Sequence, residues 1–504
     1  MSDLLVGVDL GTTGTKAALY SPEGEALAEA TAETPLRWRG PGEVDQDPED
    51  FYAAALRAVR ECVDRSGSHA ASVAAIGVTG QMAGVLGIDS EWRPATPYDS
   101  WLDLRCGPDV EALDCALGAR LVELSGCPAM VNHGPKMRWW RREQPAAFDA
   151  VAKFVVPSGY VAGRLAGLAS GDAFMDHSYL HFTGVADARA AGWSEELADA
   201  VGVPLEKLPR IVDPATQVGR LRAEAARECG LAEGTPIAAG LGDTAAGVLG
   251  AGVVAPGQLL DVAGTAAVLS ASGTEFVPDV EHRTLIVMHG AVEGQWVSLA
   301  YLSAGDLLAW VGATLWEGDA PGFDELARVS RDAPAGSDGL IFVPHIDGRL
   351  LPSHPQMRGA WTGLTRHHSR PHLVRSVLEG VAYEYAEYLR VLRQLHPELD
   401  LREARVVGGG ARSDTWNAIK ASVLGVPYVR LERGEFSCWG AALVAGRSVG
   451  LYADLAAAAA AATATASRFE PDPDEQDVYA GQAARYARLL EALDPDAPDP
   501  EARG

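Results

Sequence analysis

Four segments of the sequence combine glycines with acidic or hydroxyl side chains in patterns that suit phosphate chemistry. The first reads DLGTTGTK and runs from Asp9 to Lys16, with Gly11, Thr12 and Thr13 in its turn. A glycine turn between two strands leaves backbone N–H groups and hydroxyls free to face a phosphate. Asp9, at the strand end, is placed to hold a hydrated Mg²⁺. The alternative is an ordinary hairpin in which these residues serve only turn geometry.

A second, shorter loop of the same kind lies in the second half of the chain. It reads GTAA and begins with Gly264 and Thr265. Two such loops facing each other would hold a triphosphate from both sides. A simple turn is the alternative, and the shortness of the loop favours it.

The third segment is a glycine triplet that follows an apolar run. The sequence VVGGGARSDTW contains Gly409, Gly410 and Ser413, and Asn417 follows it directly. Three glycines let a flat ring lie against bare backbone. Ser413 is placed to cap a helix that Gly425 ends. A flexible turn between strand and helix is the alternative.

The fourth segment, GLGDTAAG, places one acidic residue, Asp243, among small and apolar residues. A carboxylate in this position either caps a helix or serves as a base. Because aspartate is a favoured N-cap and small residues follow, the sequence itself favours capping. The two roles are compatible.

The elements that must position these residues follow from hydrophobic spacing. Residues 4–10, 16–20 and 26–31 are predicted to form three strands around the first loop. Residues 50–64 have helical spacing, and residues 73–78 form a buried type of strand that ends at Gln81 and Met82. Asp261 precedes Gly264 much as Asp9 precedes Gly11. We therefore predict a weak internal repeat, with two related halves joined near residues 250–257.

Two further helices are predicted towards the C-terminus. A long helix follows Pro371, with apolar residues along one stripe, and residues 479–493 form a second helix before an acidic end. The cluster of His367, His368 and His372 lacks the spacing of metal ligands.

Composition limits the classes of function. The 504 residues include 42 basic and 68 acidic side chains, and the formal net charge of −26 argues against nucleic acid or an anionic membrane as a main partner. The six cysteines form no metal-binding or disulfide pattern, which favours the reduced cytoplasm. The first residues lack the basic start and apolar run that a signal peptide would have, and no apolar run reaches membrane-spanning length, so we expect neither feature.

In combination, the motifs resemble those of the FGGY carbohydrate kinases, and most closely the xylulokinase-like branch. The resemblance covers residues 4–450 and rests on DLGTTGTK, GVTGQM, the W-x-D-x-R-C segment at residues 101–106, GLGDTAAG, GTAA and GGGARSDTW. It implies an α/β fold of two ribonuclease-H-like domains, of the actin/Hsp70/sugar kinase superfamily, with the active site in the cleft. The expected domains are residues 1–252 for sugar and phosphate, residues 253–455 for nucleotide, and a C-terminal helix and tail at 456–504.

The resemblance also assigns roles to individual residues. It implies that Asp243 is the catalytic base and that Asp9 organises Mg²⁺. The expected ligands of ATP are Gly11, Thr12, Thr13, Lys16, Gly264, Thr265, Gly409, Gly410, Ser413 and Asn417. The residues expected at the sugar are Gln81, Met82, Trp101, Asp103, Arg105 and Asp243.

The chain departs from the family pattern mainly at the sugar end. Ala83 stands where xylulokinases usually have a histidine that touches the sugar, and Leu102 replaces a usual asparagine. The segment 348–352 lacks the family's usual glutamate, and Ala266 stands in the second phosphate loop where serine is common. We therefore expect a pentulose, hexulose or polyol other than D-xylulose.

The sequence thus predicts a kinase that uses ATP and Mg²⁺ to phosphorylate a hydroxyl of a ketose or polyol. We expect a cytoplasmic protein with a small-molecule substrate, without nucleic acid or membrane partners, and with a homodimer as the expected oligomer. One alternative is a non-catalytic sugar-binding or regulatory protein of the same fold, which the altered segment 348–352 keeps open. The other is an actin/Hsp70-like ATPase, which the absence of a peptide-binding domain disfavours.

Overall fold

The computed structural model describes residues 3–67, 72–264, 266–303 and 305–493. Within these ranges the chain forms two seven-stranded sheets, one in each half, with helices packed on their faces. Small two- and three-stranded ribbons lie outside the sheets.

The first half contains sixteen strands and ten α-helices among the described residues. Its strands are β1 (Leu4–Leu10), β2 (Gly14–Tyr20), β3 (Ala26–Glu33), β4 (Arg37–Gly40), β5 (Glu43–Gln46), β6 (Val73–Gly80), β7 (Leu86–Ile88), β8 (Tyr98–Asp99), β9 (Lys153–Val155), β10 (Phe174–Asp176), β11 (Ala186–Asp187), β12 (Gly192–Trp193), β13 (Arg210–Val212), β14 (Gln217–Arg220), β15 (Pro236–Ala238) and β16 (Leu241–Gly242). Its helices are α1 (Pro48–Ser66), α2 (Gly107–Leu117), α3 (Ala119–Ser125), α4 (His133–Glu143), α5 (Pro145–Ala150), α6 (Pro157–Ala166), α7 (Leu180–Thr183), α8 (Glu195–Val201), α9 (Ala223–Cys229) and α10 (Asp243–Gly250).

The second half contains the remaining nine strands and seven α-helices of the described residues. Its strands are β17 (Gln258–Ala263), β18 (Ala266–Gly273), β19 (Ile286–His289), β20 (Trp296–Ser303), β21 (Ile341–Val343), β22 (Ala360–Thr362), β23 (Glu403–Val407), β24 (Tyr428–Leu431) and β25 (Thr465–Phe469). Its helices are α11 (Gly305–Leu315), α12 (Phe323–Ser330), α13 (Arg370–Leu395), α14 (Asp414–Leu424), α15 (Phe436–Ser448), α16 (Leu455–Ala461) and α17 (Pro473–Leu493).

The two large sheets share one arrangement. In the first, β1, β2 and β3 are antiparallel neighbours, and β6 and then β15 continue the sheet parallel to β1. In the second, β17, β18 and β20 are antiparallel neighbours, and β23 and β24 continue it parallel to β17. Because parallel strands end at the same edge, each sheet gathers its loops there.

Local sequence explains most element boundaries. Helix α1 begins earlier than predicted because Asp47 caps it by accepting from the Glu49 N–H at 3.0 Å, and it ends where Gly67 takes φ 62°. Ser413 caps α14 as predicted, accepting from the Trp416 N–H at 3.2 Å, and Gly425 ends that helix in the left-handed region. The predicted C-terminal helix begins six residues earlier than expected, at Pro473.

Helix α15 joins the two halves. It follows β24 of the second sheet in sequence, but it packs against β1 and β6 of the first sheet and against α10. One buried apolar cluster accordingly contains Leu5 from β1, Leu260 from β17 and Trp439 from α15.

The structure also bears on membrane-spanning helices and on the state of the cysteines. No helix in the described ranges combines the length and apolar character needed to cross a bilayer. All six cysteines are described, and all six are free thiols.

Candidate active site

The first glycine loop is a tight turn between β1 and β2. Asp9 lies opposite Lys16 in the strand register, and the Gly11 N–H donates to the Gly14 carbonyl at 3.1 Å. The backbone of Gly11, Thr12 and Thr13 therefore emerges at the edge of the sheet, beside the end of β6.

Asp9 carries a carboxylate oxygen without a protein partner. Its Oδ1 atom is buried, and no described residue forms a hydrogen bond to it. Burial, reinforced by the negative charge of Asp243, raises the pKa of Asp9 to about 7, although the Lys16 ammonium acts in the opposite direction. A cation bound here would satisfy the oxygen and compensate the charge, so this residue fits the predicted Mg²⁺.

Asp243 lies at the start of α10 and is partly accessible. The sequence predicted it as the N-cap, but Gly242 occupies that position and Asp243 is the first helical residue. Its Oδ1 accepts from the Thr244 N–H at 2.6 Å and from the Thr244 hydroxyl at 3.2 Å. Burial raises the pKa of Asp243 to about 6, and these hydrogen bonds only partly offset it.

Gln81 connects the end of β6 to the first loop. Its side-chain amide donates to the Gly11 carbonyl at 3.2 Å and to the Gln46 side chain at 3.1 Å, and Gln46 donates to the Thr12 carbonyl at 3.0 Å. The Gln81 Oε1 atom is buried and has no partner among the described residues. Gln46 was missed by sequence reasoning, because no local pattern relates it to the loop.

Met82 packs against the residue that precedes the proposed base. A Cβ atom at Gly242 would lie 2.5 Å from the Met82 Cε atom, so a larger residue would displace this side chain. The Met82 carbonyl accepts a hydrogen bond from His133 Nε2 at 2.6 Å. His133 was also missed, because it lies 51 residues further along the chain.

Trp101 borders the first loop. Its indole N–H donates to the Thr12 hydroxyl at 3.0 Å, and the residue is 44% exposed. This contact brings a predicted sugar residue and a predicted phosphate residue together.

Asp103 and Arg105 are largely occupied by each other and by their neighbours. Asp103 is buried and accepts from the Val44 N–H at 2.9 Å and from Arg105 Nε at 2.9 Å. Arg105 also pairs with Asp99 at 2.9 Å, and its guanidinium lies 4.3 Å from the ring centre of Trp139. These two residues hold the loop that carries Trp101.

The glycine triplet lies beside the second loop. Val262 pairs with Val407 at the ends of β17 and β23, so Gly264 and the triplet emerge from adjacent parallel strands. Thr265 lies outside the described residues.

The triplet presents open backbone at one position. A Cβ atom at Gly409 would meet no atom within 4 Å, whereas one at Gly410 would lie 2.8 Å from Trp416. Asn417 is buried behind the triplet and donates to the Ala411 carbonyl at 2.8 Å, while its Oδ1 atom has no partner in the described part of the chain. This open backbone is compatible with a flat ring at Gly409.

Lys16 joins the first loop to the second half of the molecule. Its ammonium lies 2.8 Å from Glu435 Oε1, at the N-terminus of α15. Sequence reasoning missed Glu435, which is 419 residues away from Lys16. Glu435 also contributes to the raised pKa of Asp9.

The described residues contain no group of three or more histidine, cysteine or acidic side chains arranged for a metal ion. His372 instead takes part in a capping box with Ser369 at the start of α13, and His368 accepts from the Thr365 N–H at 2.9 Å.

Two family models match the chain, one in each half. The model of the N-terminal domain of the FGGY family of carbohydrate kinases matches residues 4–250, and the model of the C-terminal domain matches residues 260–449. A xylulose kinase of Bacillus subtilis is 27% identical over 456 residues, which cover 90% of this chain and 89% of that protein. A xylulose kinase of Escherichia coli is 28% identical over 423 residues, covering 84% and 85%.

A solved structure from Brucella ovis, described as a xyloylose kinase, superimposes with a TM-score of 0.89 at 28% identity, covering 97% of this chain and 99% of that one. The fold is thus that of a two-domain sugar kinase of the actin/Hsp70-like type, which confirms the predicted fold class. The chain belongs to the FGGY family of carbohydrate kinases. Kinases of this family use ATP and typically a divalent metal.

Proposed function

We propose that this protein transfers the γ-phosphate of ATP to a hydroxyl of a ketose or polyol, in the manner of the xylulokinase-like branch. The observation that carries the proposal is a pair of acidic side chains, Asp9 and Asp243, beside the first glycine loop. Neither forms an ion pair with a described residue. Lys16 lies opposite Asp9 and lowers its pKa, but the Lys16 ammonium pairs with Glu435, and the charge of Asp243 raises the pKa of Asp9. Unpaired buried carboxylates are costly unless they serve a ligand or a proton transfer.

Asp243 is proposed as the general base. Its Oδ1 takes both hydrogen bonds from Thr244, which leaves Oδ2 to accept the proton of an incoming hydroxyl. A pKa of about 6 keeps the carboxylate ionised at neutral pH and close enough to neutrality to accept a proton readily. Phosphoryl transfer then depends mainly on alignment and charge neutralisation.

The glycine loops are proposed to align the phosphates of ATP. Gly11, Thr12 and Thr13 offer N–H groups and hydroxyls from one side, and Gly264 offers backbone from the other. Asp9 would hold Mg²⁺, which when bound supplies charge neutralisation to the phosphate oxygens. Lys16 lies opposite Asp9 and adds a cation to the same edge.

The nucleoside is proposed to lie against the glycine triplet. Gly409 leaves open backbone for the ring, and the free Oδ1 atom of Asn417 lies on the helix behind it. Ser413 holds the start of that helix in place through its capping bond.

The altered segment 348–352 does not favour the non-catalytic alternative. Arg349 is largely buried, with 11% of its side chain exposed, and pairs with Glu384 of α13 at 2.9 Å. Tyr486 of α17 donates to the same carboxylate at 2.5 Å. The arginine is therefore part of a satisfied internal network, which gives the departure from the family pattern a structural reason.

The test is an assay of ADP release with Mg²⁺-ATP over a panel of D-xylulose, D-ribulose, D-fructose, xylitol and glycerol. Turnover that depends on one of these acceptors is expected, and an Asp243→Asn variant prepared in parallel should lose it, which excludes a contaminating kinase. Sugar binding without turnover would favour the regulatory alternative. ATP hydrolysis that no sugar stimulates would favour the ATPase.

A cytoplasmic location and a homodimer complete the proposal. The six unpaired cysteines support the first, because a reducing compartment keeps thiols free. Size-exclusion chromatography with light scattering tests the second.

A further inference from the structure

The first turn of α4 lies between the two segments proposed to hold the sugar. His133 Nε2 contacts the Met82 carbonyl at 2.6 Å, on the segment that continues to Ala83. Lys136 Nζ contacts the carbonyls of Ser100 at 2.8 Å and Asp103 at 3.0 Å, on either side of Trp101. The helix start is therefore fixed to both sides of the proposed sugar site.

Asn132 occupies the N-cap position of α4 but does not cap it. Asparagine is favoured there because its side-chain oxygen normally accepts from an N–H of the first turn. Here the side chain makes no capping bond, the residue is only 3% exposed, and no described residue bonds to its Oδ1 atom. A buried polar atom without a partner is unfavourable, and this one could have been satisfied within its own helix.

His133 provides a second open polar atom next to it. A carbonyl can only accept, so Nε2 carries the proton donated to Met82, and Nδ1 is left as an acceptor. That Nδ1 atom is buried and has no partner among the described residues. Burial lowers the pKa of His133 to about 4, so the ring is neutral at physiological pH.

We propose that Asn132 and His133 form a subsite for a hydroxyl group of the acceptor and determine which ketose or polyol is preferred. The inference rests on the proposed function. His133 contacts the carbonyl of Met82, the residue before Ala83, whose own side chain has no polar group. A site with open hydrogen-bonding atoms discriminates strongly, because an acceptor that lacks the matching hydroxyl leaves them unpaired.

The chain offers a matched pair of variants for the test. Ser194 is an N-cap that does cap, accepting from the Leu197 N–H at 3.3 Å at the start of α8. Ser194→Ala should lower the melting temperature and leave the kinetics for the sugar unchanged. Asn132→Ala removes no capping bond, so it should lower the melting temperature less and reduce kcat/KM for the best sugar about tenfold or more. The KM for ATP should stay within about twofold, since the subsite contacts only the sugar.

Two further variants keep the test decisive. Asn132→Ser retains a side-chain oxygen and should lose less activity than Asn132→Ala, and His133→Phe should also reduce kcat/KM for the same sugar. Unchanged kcat/KM for the sugar in folded Asn132→Ala would overturn the inference. If the wild type binds a sugar without turnover, the proposed function fails, and the subsite is judged by the sugar Kd of the same variants in titration calorimetry.

Discussion

Two strand–loop–strand units hold corresponding places in the two sheets, and each carries an aspartate just before a glycine loop. In the first unit, Asp9 has a free buried oxygen near the proposed base. In the second, Asp261 is fully buried and neutralised: Lys420 Nζ lies 2.6 Å from one oxygen, and the Tyr385 hydroxyl donates to the other at 2.9 Å. We call Asp9 an open carboxylate, because one of its oxygens has no partner among the described residues, and Asp261 with Lys420 a closed pair, because both oxygens of Asp261 are bound within the protein.

A one-residue offset explains the difference. Asp9 lies two residues before Gly11, whereas Asp261 lies three residues before Gly264. Because side chains alternate between the two faces of a strand, the offset turns Asp261 to the opposite face. Leu260, its neighbour, packs in the cluster shared by both halves, whereas Asp261 faces helices α13 and α14.

The comparison separates a carboxylate that serves ligands from one that serves structure. Asp261 and Lys420 connect β17 to α14, the helix behind the proposed nucleoside position, and Lys420 also lies 3.9 Å from the ring centre of Trp416. Changes at the open carboxylates, Asp9 and Asp243, should therefore alter activity first. Changes at the closed pair should alter stability first.

The largest effect is expected at Asp243. Asp243→Asn should lower kcat by about 10²–10⁴-fold with little change in the KM for ATP, because it removes the proposed proton acceptor and keeps the shape of the side chain. Steady-state kinetics and circular dichroism of the purified variant provide the measurement. A folded variant with near-wild-type turnover would remove Asp243 from the mechanism.

The closed pair should respond to Lys420→Met with a loss of stability of about 3–5 kcal/mol, because Asp261 would be left buried without its cation. Chemical denaturation measures this loss, and the folded fraction should keep its turnover. Arg60→Met is the control, since it breaks an exposed pair with Asp64 and should cost about 0.5 kcal/mol or less. Equal losses in the two variants would mean that burial does not distinguish these ion pairs.

Asp9→Ala should reduce turnover by about 10²-fold at low Mg²⁺, because the variant lacks the proposed ligand for the metal. Part of the loss should be recovered at high Mg²⁺, and the melting temperature should not fall as it does in Lys420→Met. Activity titrated with Mg²⁺ tests this. A Mg²⁺ dependence identical to that of the wild type would contradict the role.

The framework of both units could be predicted from sequence, because it depends on local patterns. Buried strands around a glycine turn predicted β1 to β3, and a serine followed by a helical pattern predicted the Ser413 cap. The apparent repeat at Asp261 was only partly right. The residues recur, but the offset that changes the face becomes meaningful only when the strand register is known.

The contacts that complete the site could not be predicted, because they join distant parts of the chain. Glu435 reaches Lys16 across 419 residues, and Gln46 contacts the first loop directly at the Thr12 carbonyl. Nothing in the sequence around Asn132 indicates that this N-cap makes no capping bond. The sequence predicted Asp243 as the N-cap of α10. It is the first helical residue instead, because the strand before it extends through Gly242, which takes the N-cap position.

The open carboxylates should also make activity dependent on pH. Asp243 must be ionised to accept a proton, and burial places its pKa at about 6. At saturating Mg²⁺, kcat/KM should reach a plateau above this pH and fall about tenfold for each pH unit below it. A profile measured from about pH 3.5 to 8, with circular dichroism to confirm that the protein stays folded at the acid end, tests the prediction. A midpoint near 4, the ordinary value for aspartate, would show that burial does not control this group in the working enzyme.

The smallest effect is expected at Ala83, an uncharged residue that follows Met82 in the segment packed against Gly242. We predict that D-xylulose is not the best acceptor of the wild type, because position 83 lacks the polar side chain that xylulokinases usually carry there. Ala83→His should shift the ratio of kcat/KM values towards D-xylulose by about 1 kcal/mol, roughly fivefold, which is the usual net worth of one hydrogen bond. His133 already contacts the neighbouring Met82 carbonyl, so the new ring has to share that space, which limits the gain. If D-xylulose ranks first for the unmodified protein in the sugar panel, the alanine is a tolerated variation and specificity depends on other residues.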